Sequence, residues 1–171
     1  MTNKLLFFVL LALCFSGCDM LETHPYDVHI TGERELTNKN IQLIENKMQS
    51  KKTIRFAMIS DTQRWYNSTE DVVKALNARG DIDFVIHGGD QSDFGVTKEF
   101  IWMRDIFNKF QMPYVCLLGN HDCLGTGEDA YRAIYGDPNF AFTAGNVRFI
   151  CLNTNAMEYD YSEPVPDFNF I

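Results

Sequence analysis

Three apolar runs, Ile54–Ile59, Ile82–Ile86 and Tyr114–Leu118, each stop abruptly at a polar loop that carries Asp or Asn. Unbroken apolar runs of this length read as strands buried on both faces, the form strands take in a parallel sheet covered by helices. Helical patterns lie between them. Ser68 and Asp71 have the spacing of a helix start, Val72, Val73 and Leu76 lie on one face, and Gly80 is the stop. Phe100, Met103, Phe107 and Phe110 form the apolar stripe of a second helix, and Pro113 opens the third strand. Strand and helix in this alternation specify an α/β layered sheet.

The flanking segments fit that frame. Thr37 to Met48 places Ile41, Ile44 and Met48 at helical spacing, as an edge helix would. A short helix over Glu128–Tyr135 is expected next. Paired strands at Phe140–Thr143 and Val147–Leu152 follow, joined at Ala144-Gly145-Asn146. No internal repeat is present.

Ligands of such sheets collect beyond the carboxyl ends of the strands, and there the polar loops fall. They read Ser60-Asp61-Thr62-Gln63, Gly88-Gly89-Asp90-Gln91-Ser92-Asp93 and Gly119-Asn120-His121-Asp122. Asp61 offers an anionic oxygen and Gln63 a neutral amide oxygen, two residues apart in one loop. Two glycines before Asp90 permit a tight turn and close approach to its carboxylate. Asn120 gives another neutral oxygen. His121 titrates near neutrality and suits proton transfer. The bland alternative for each loop is a plain polar turn; their recurrence, in order, after three buried strands argues against it.

These blocks resemble the first three metal-binding blocks of the calcineurin-like metallophosphoesterases, over about residues 54–155. The resemblance implies a layered β-sandwich flanked by helices. It implies two divalent metal ions (Mn, Fe or Zn) with Asp61, Gln63, Asp90 and Asn120 as ligands and Asp90 bridging. It implies a metal-activated water that attacks the phosphorus of a phosphate mono- or diester. His121 corresponds to the family histidine beside the scissile phosphate, and Asp93 to the carboxylate that orients it. Two residues depart from the family pattern: Gln63 stands where His is usual, and Leu152-Asn153 where Leu-Asp is usual.

His87 is not part of the pattern and reads as a satisfied, half-buried histidine. Arg64 and Trp65 read as a surface arginine and a packed tryptophan, with a place in a substrate pocket as the alternative. His24 and His29 are expected to face solvent.

The family also needs a further His and a Gly-His-x-His block, and no histidine follows His121. The expectation is therefore an N-terminal part of the fold, with its C-terminal part missing. The alternative is a catalytically degenerate lipoprotein that serves as a binding or scaffold module.

The formal charge of −8 disfavours a protein that tracks a nucleic-acid backbone. Lys4, the apolar run Leu5–Phe15 and the small residues before Cys18 read as an export signal of the bacterial lipoprotein type. Cys18 would then be the lipidated residue, anchoring the protein to a membrane of the cell envelope. The expected organisation is a signal peptide at 1–17, a tether and edge helix at 18–50, and the phosphoesterase part at 51–171. Cys116, Cys123 and Cys151 are too few for a disulfide framework and read as structural.

Overall fold

The computed structural model describes residues 24–159, 161 and 164–171. The expected signal peptide and Cys18 lie outside the described residues.

The elements run α1 (Leu36–Met48), β1 (Phe56–Ile59), α2 (Tyr66–Arg79), β2 (Phe84–His87), α3 (Thr97–Phe107) and β3 (Tyr114–Cys116). A single 3-10 turn (His121–Cys123), α4 (Gly127–Tyr135), β4 (Phe140–Ala144), β5 (Val147–Cys151) and α5 (Ala156–Tyr159) follow. Strands β1, β2 and β3 form a parallel sheet in chain order. Strands β4 and β5 form the expected antiparallel hairpin. This is a mixed α/β fold with a parallel sheet and helices, the class expected.

Strand alternation divides the core in two. From β2 and β3, Val85, Tyr114 and Cys116 point toward the helices and pack with Val73, Phe100, Met103, Phe107, Ala130, Tyr131 and Ile134. Phe84, Ile86 and Val115 point the other way, onto α1 and the hairpin, where they meet Ile44, Met48, Phe142 and Ala144. Phe84 is the hub of that second layer. Its ring stacks on Phe56 at 5.4 Å and meets Phe142 and Phe149 edge-on at 5.6 and 5.5 Å. Each such aromatic pair adds about 0.5–1.5 kcal/mol beyond the area it buries.

Three boundaries differ from expectation. Helix α2 begins at Tyr66, not at Ser68, because the chain leaves the first loop through Trp65 directly into helical turns. Gly80 ends it in the left-handed region, φ 68°. Helix α3 stops at Phe107, and Phe110 reaches the core from the following turn, stacked on Phe107. The stretch before α1 is docked where a loose tether was expected. Ile30 is buried, and Arg104 of α3 donates to the carbonyl oxygens of Thr31 and Glu33 at 2.5 and 3.2 Å. Thr97 and Thr126 hold the carbonyls of Asp27 and Tyr26. The polar composition of this stretch hid a segment fixed by its backbone. His24 and His29 are exposed, as expected.

Candidate active site

Because β1, β2 and β3 are parallel, their three terminal loops open at one edge of the sheet. Backbone bonds join them there. Asp61 N–H donates to the Gly89 carbonyl at 3.1 Å, Gln63 N–H to the Asp90 carbonyl at 3.1 Å, and His121 N–H to Asp90 Oδ1 at 2.9 Å. The loops after β2 and β3 also touch backbone to backbone. A Cβ on Gly89 would lie 2.6 Å from Gly119 Cα, and one on Gly119 would lie 2.2 Å from both Asp90 N and Asp90 Oδ1. Only glycine fits at either position. Asp61, Arg64 and Asp90 all hold positive φ, 56°, 68° and 60°. Left-handed backbone at non-glycine residues is uncommon, and it gathers where a site over-determines its geometry.

A residue given no role in the sequence reading organises this edge. Asp122 is fully buried. Its Oδ1 accepts from the N–H groups of Gln91 and Ser92 at 3.0 and 2.8 Å and from the Ser92 hydroxyl at 3.0 Å. Its Oδ2 accepts from the N–H groups of Asp90 and Gly119 at 2.9 and 3.0 Å. One carboxylate thus gathers four backbone amides from two loops. Burial raises its pKa to about 6, against the opposing pull of those donors. The only hint in the sequence was an acid directly after Asn120-His121.

His87 is fully buried, not half-buried. Its Nδ1 accepts the Gly89 N–H at 3.2 Å, so Nε2 carries the proton and donates to Thr62 Oγ1 at 2.9 Å. Burial lowers its pKa to about 3. The neutral ring ties the first loop to the second.

The expected partnership of Asp93 and His121 takes a different form. The Asp93 carboxylate engages Arg64 in a two-point fork, Nε to Oδ2 at 2.5 Å and Nη2 to Oδ1 at 2.6 Å. His121 Nδ1 instead lies 3.0 Å from the Asp93 backbone carbonyl, with the carboxylate at 3.7 Å. A carbonyl only accepts, so Nδ1 carries a proton and Nε2 is the nitrogen that titrates. The Asp93 carbonyl raises the His121 pKa, with smaller contributions from the Asp90 and Asp93 charges. Arg64 is exposed, as expected of a surface arginine, with its Cζ over the Phe94 ring, 5.8 Å from the centroid. Trp65 is exposed rather than packed. Glu99, in the first turn of α3, fixes the Asp93–Val96 loop by accepting the N–H groups of Asp93, Phe94 and Val96.

The donor set suits a hard cation. Gln63 Oε1 is buried and has no hydrogen-bond partner among the described residues. The Asn120 amide lies 3.3 and 3.2 Å from Asp90 Oδ1 and Oδ2. With its NH2 turned toward them it donates; with its oxygen turned toward them, the converging oxygens form a cation cradle. Among the described residues no group of three or more His, Cys, Asp or Glu gathers to hold a metal. Cys123 stands apart from this chemistry. Its thiol donates to the Gly119 carbonyl at 3.4 Å, and burial pushes its pKa up to about 12.

The model of the calcineurin-like phosphoesterase family matches residues 54–168, and the chain belongs to that family. The family is one of metal-dependent phosphoester hydrolases. No curated protein matches the chain.

Proposed function

We propose that this protein hydrolyses phosphate esters with two divalent cations, Mn, Fe or Zn, held by Asp61, Gln63, Asp90 and Asn120, with Asp90 shared. Such ions, when bound, supply Lewis-acid charge neutralisation and an activated water. The chain's own residues position the rest. Asp122 fixes the amides on either side of Asp90, so its carboxylate is held before any ligand arrives. His121, locked through Nδ1 to the Asp93 carbonyl, turns Nε2 to the substrate and delivers a proton to the leaving oxygen. The observation that carries this reading is the buried, unpartnered Gln63 Oε1 in the loop bonded to Asp90. A buried amide oxygen without a donor is costly in an apolar setting and is satisfied by a cation.

The test is metal content and turnover of the purified protein with each metal, on an aryl phosphomonoester and an aryl phosphodiester. We expect bound metal, and metal content and turnover that both fall in D90N, turnover by about 100-fold, because the shared anionic ligand is lost. Wild-type protein that binds none of the three metals and cleaves neither ester ends the proposal.

We also infer export and lipid anchoring through Cys18, which the signal-like N-terminus supports. Among the described residues no helix is long and apolar enough to cross a membrane. Radiolabelled fatty acid should enter the wild-type chain and not C18S; equal labelling of both would refute the anchor.

A further inference from the structure

We propose that Arg64 is a phosphate-binding residue that selects monoesters over diesters; the proposal rests on the phosphoesterase reading above. Three features fix its guanidinium beside His121. The Asp93 carboxylate holds it by two bonds, its Cζ lies over the Phe94 ring, and its own backbone sits at φ 68°. Asp93 is buried, while Arg64 is about two-thirds exposed. The pair therefore turns its charged arginine edge outward from a buried anchor.

The fork to Asp93 uses Nε and one proton of Nη2. The outer edge, Nη1 and the second Nη2 proton, donates to nothing among the described residues. Two parallel N–H groups on a rigid plane match two oxygens of a terminal phosphoryl group. Because Asp93 also supplies the carbonyl bonded to His121 Nδ1, the guanidinium and the imidazole share one support. A ligand that reaches Nε2 of His121 with its leaving oxygen brings its phosphoryl oxygens to the arginine edge. A diester has two non-bridging oxygens, which the cations held around Asp90 and Asn120 would engage. A monoester has a third, and that oxygen is left for Arg64.

The experiment pairs calorimetric binding of inorganic phosphate with kcat/KM on aryl mono- and diesters, using the full chain loaded with metal. R64A should weaken phosphate binding about tenfold and lower kcat/KM on the monoester about 30-fold, chiefly through KM. On the diester it should cost less than about threefold. R64K keeps the charge and loses the fork, so it should weaken phosphate binding about fivefold. It also serves as the test should R64A fail to fold. Unchanged phosphate affinity in R64K overturns the arginine site, and an equal loss on both esters overturns the selectivity. Arg64-dependent phosphate binding by a wild-type protein that cleaves neither ester refutes the phosphoesterase reading and leaves the anion site standing.

Discussion

The loops after β2 and β3 and the loop after β1 meet at one edge of the sheet but are held in opposite ways. The first two are sewn together by a buried carboxylate, with Asp122 accepting from Asp90, Gln91, Ser92 and Gly119, and by glycine backbones in direct contact. The third carries two residues in left-handed backbone, Asp61 and Arg64. It joins the others through two backbone bonds, the His87–Thr62 bond and the Arg64–Asp93 fork. One side of the site is pre-formed by hydrogen bonds that leave no freedom. The other is placed by a few contacts and leaves Asp61, Arg64 and Trp65 exposed, with Thr62 and the Gln63 amide oxygen turned inward. A site built this way has a rigid platform around Asp90 and a more adjustable wall where the exposed Asp61 and Trp65 stand.

The sharpest way to break the contrast is to remove the stitching. D122N keeps the shape but sets an NH2 against two N–H donors and leaves buried amides unsatisfied. It should cost about 4 kcal/mol, or abolish folding, because the partners of a buried charge are stranded. Urea unfolding measures it. A loss below about 1 kcal/mol, typical of a single hydrogen bond, would mean the platform is not held by Asp122. Next in size is G119A. Its Cβ would meet Asp90 N and Oδ1 at 2.2 Å, so backbone has to shift, at about 3 kcal/mol. A variant as stable as wild type would show that the two loops have room to part.

Much of this division could be read in the sequence, and the misses share one cause. Apolar runs located the strands and the main helices; β2 and β3 are buried on both faces, as such runs imply, whereas β1, expected to be buried, is an edge strand with Phe56 and Met58 exposed. The loops that carry Asp61, Asp90 and Asn120 were visible because each interrupts such a run with short polar residues and glycine. What stayed hidden was who bonds to whom. Asp122 has no periodic signature, since its role depends on amides distant in the chain. Asp93 was expected to orient His121 with its carboxylate, but a nearby guanidinium forms the stronger two-point contact and leaves the carbonyl to do so. Residues 26–34 were hidden for the same reason: their anchors are backbone carbonyls, which composition does not encode.

A third test probes the joint between the two regions. His87 is neutral and buried, with its pKa lowered from 6.5 to about 3. Below pH 6.5 the unfolded chain takes up a proton that the folded ring refuses. This contribution to stability is therefore complete above pH 6.5 and is lost as pH falls toward about 3. At pH 4.5 the loss from this group should be on the order of 3 kcal/mol. The paired carboxylates Asp81 and Asp83 have lowered pKa values and lose stability in the same direction, at lower pH. Asp122, with its pKa raised to about 6, works the other way and favours the folded state as pH falls below that value. H87N removes the histidine source alone, so stability should then hold level or rise between pH 6.5 and 4.5, with the fall below it retained. An unchanged slope in H87N would place the acid sensitivity elsewhere.

The smallest effect on stability should come from the adjustable wall, and there the contrast is most exposed to failure. Asp61 sits at φ 56° at the exposed start of its loop. Among the described residues its side chain has one hydrogen-bond partner, the Ser60 hydroxyl. Asparagine tolerates left-handed backbone at least as well as aspartate, and it retains an oxygen where the carboxylate had two. D61N should therefore change unfolding free energy by less than about 0.5 kcal/mol, the scale of an exposed substitution. The same change removes an anionic oxygen from the proposed cation cradle, so metal-dependent turnover should fall about 100-fold. Stability and turnover thus separate at Asp61 and fall together at Asp122. If D61N destabilises the protein as strongly as D122N, the first loop belongs to the rigid platform, and the strain at Asp61 and Arg64 is held by packing rather than by the few bonds described.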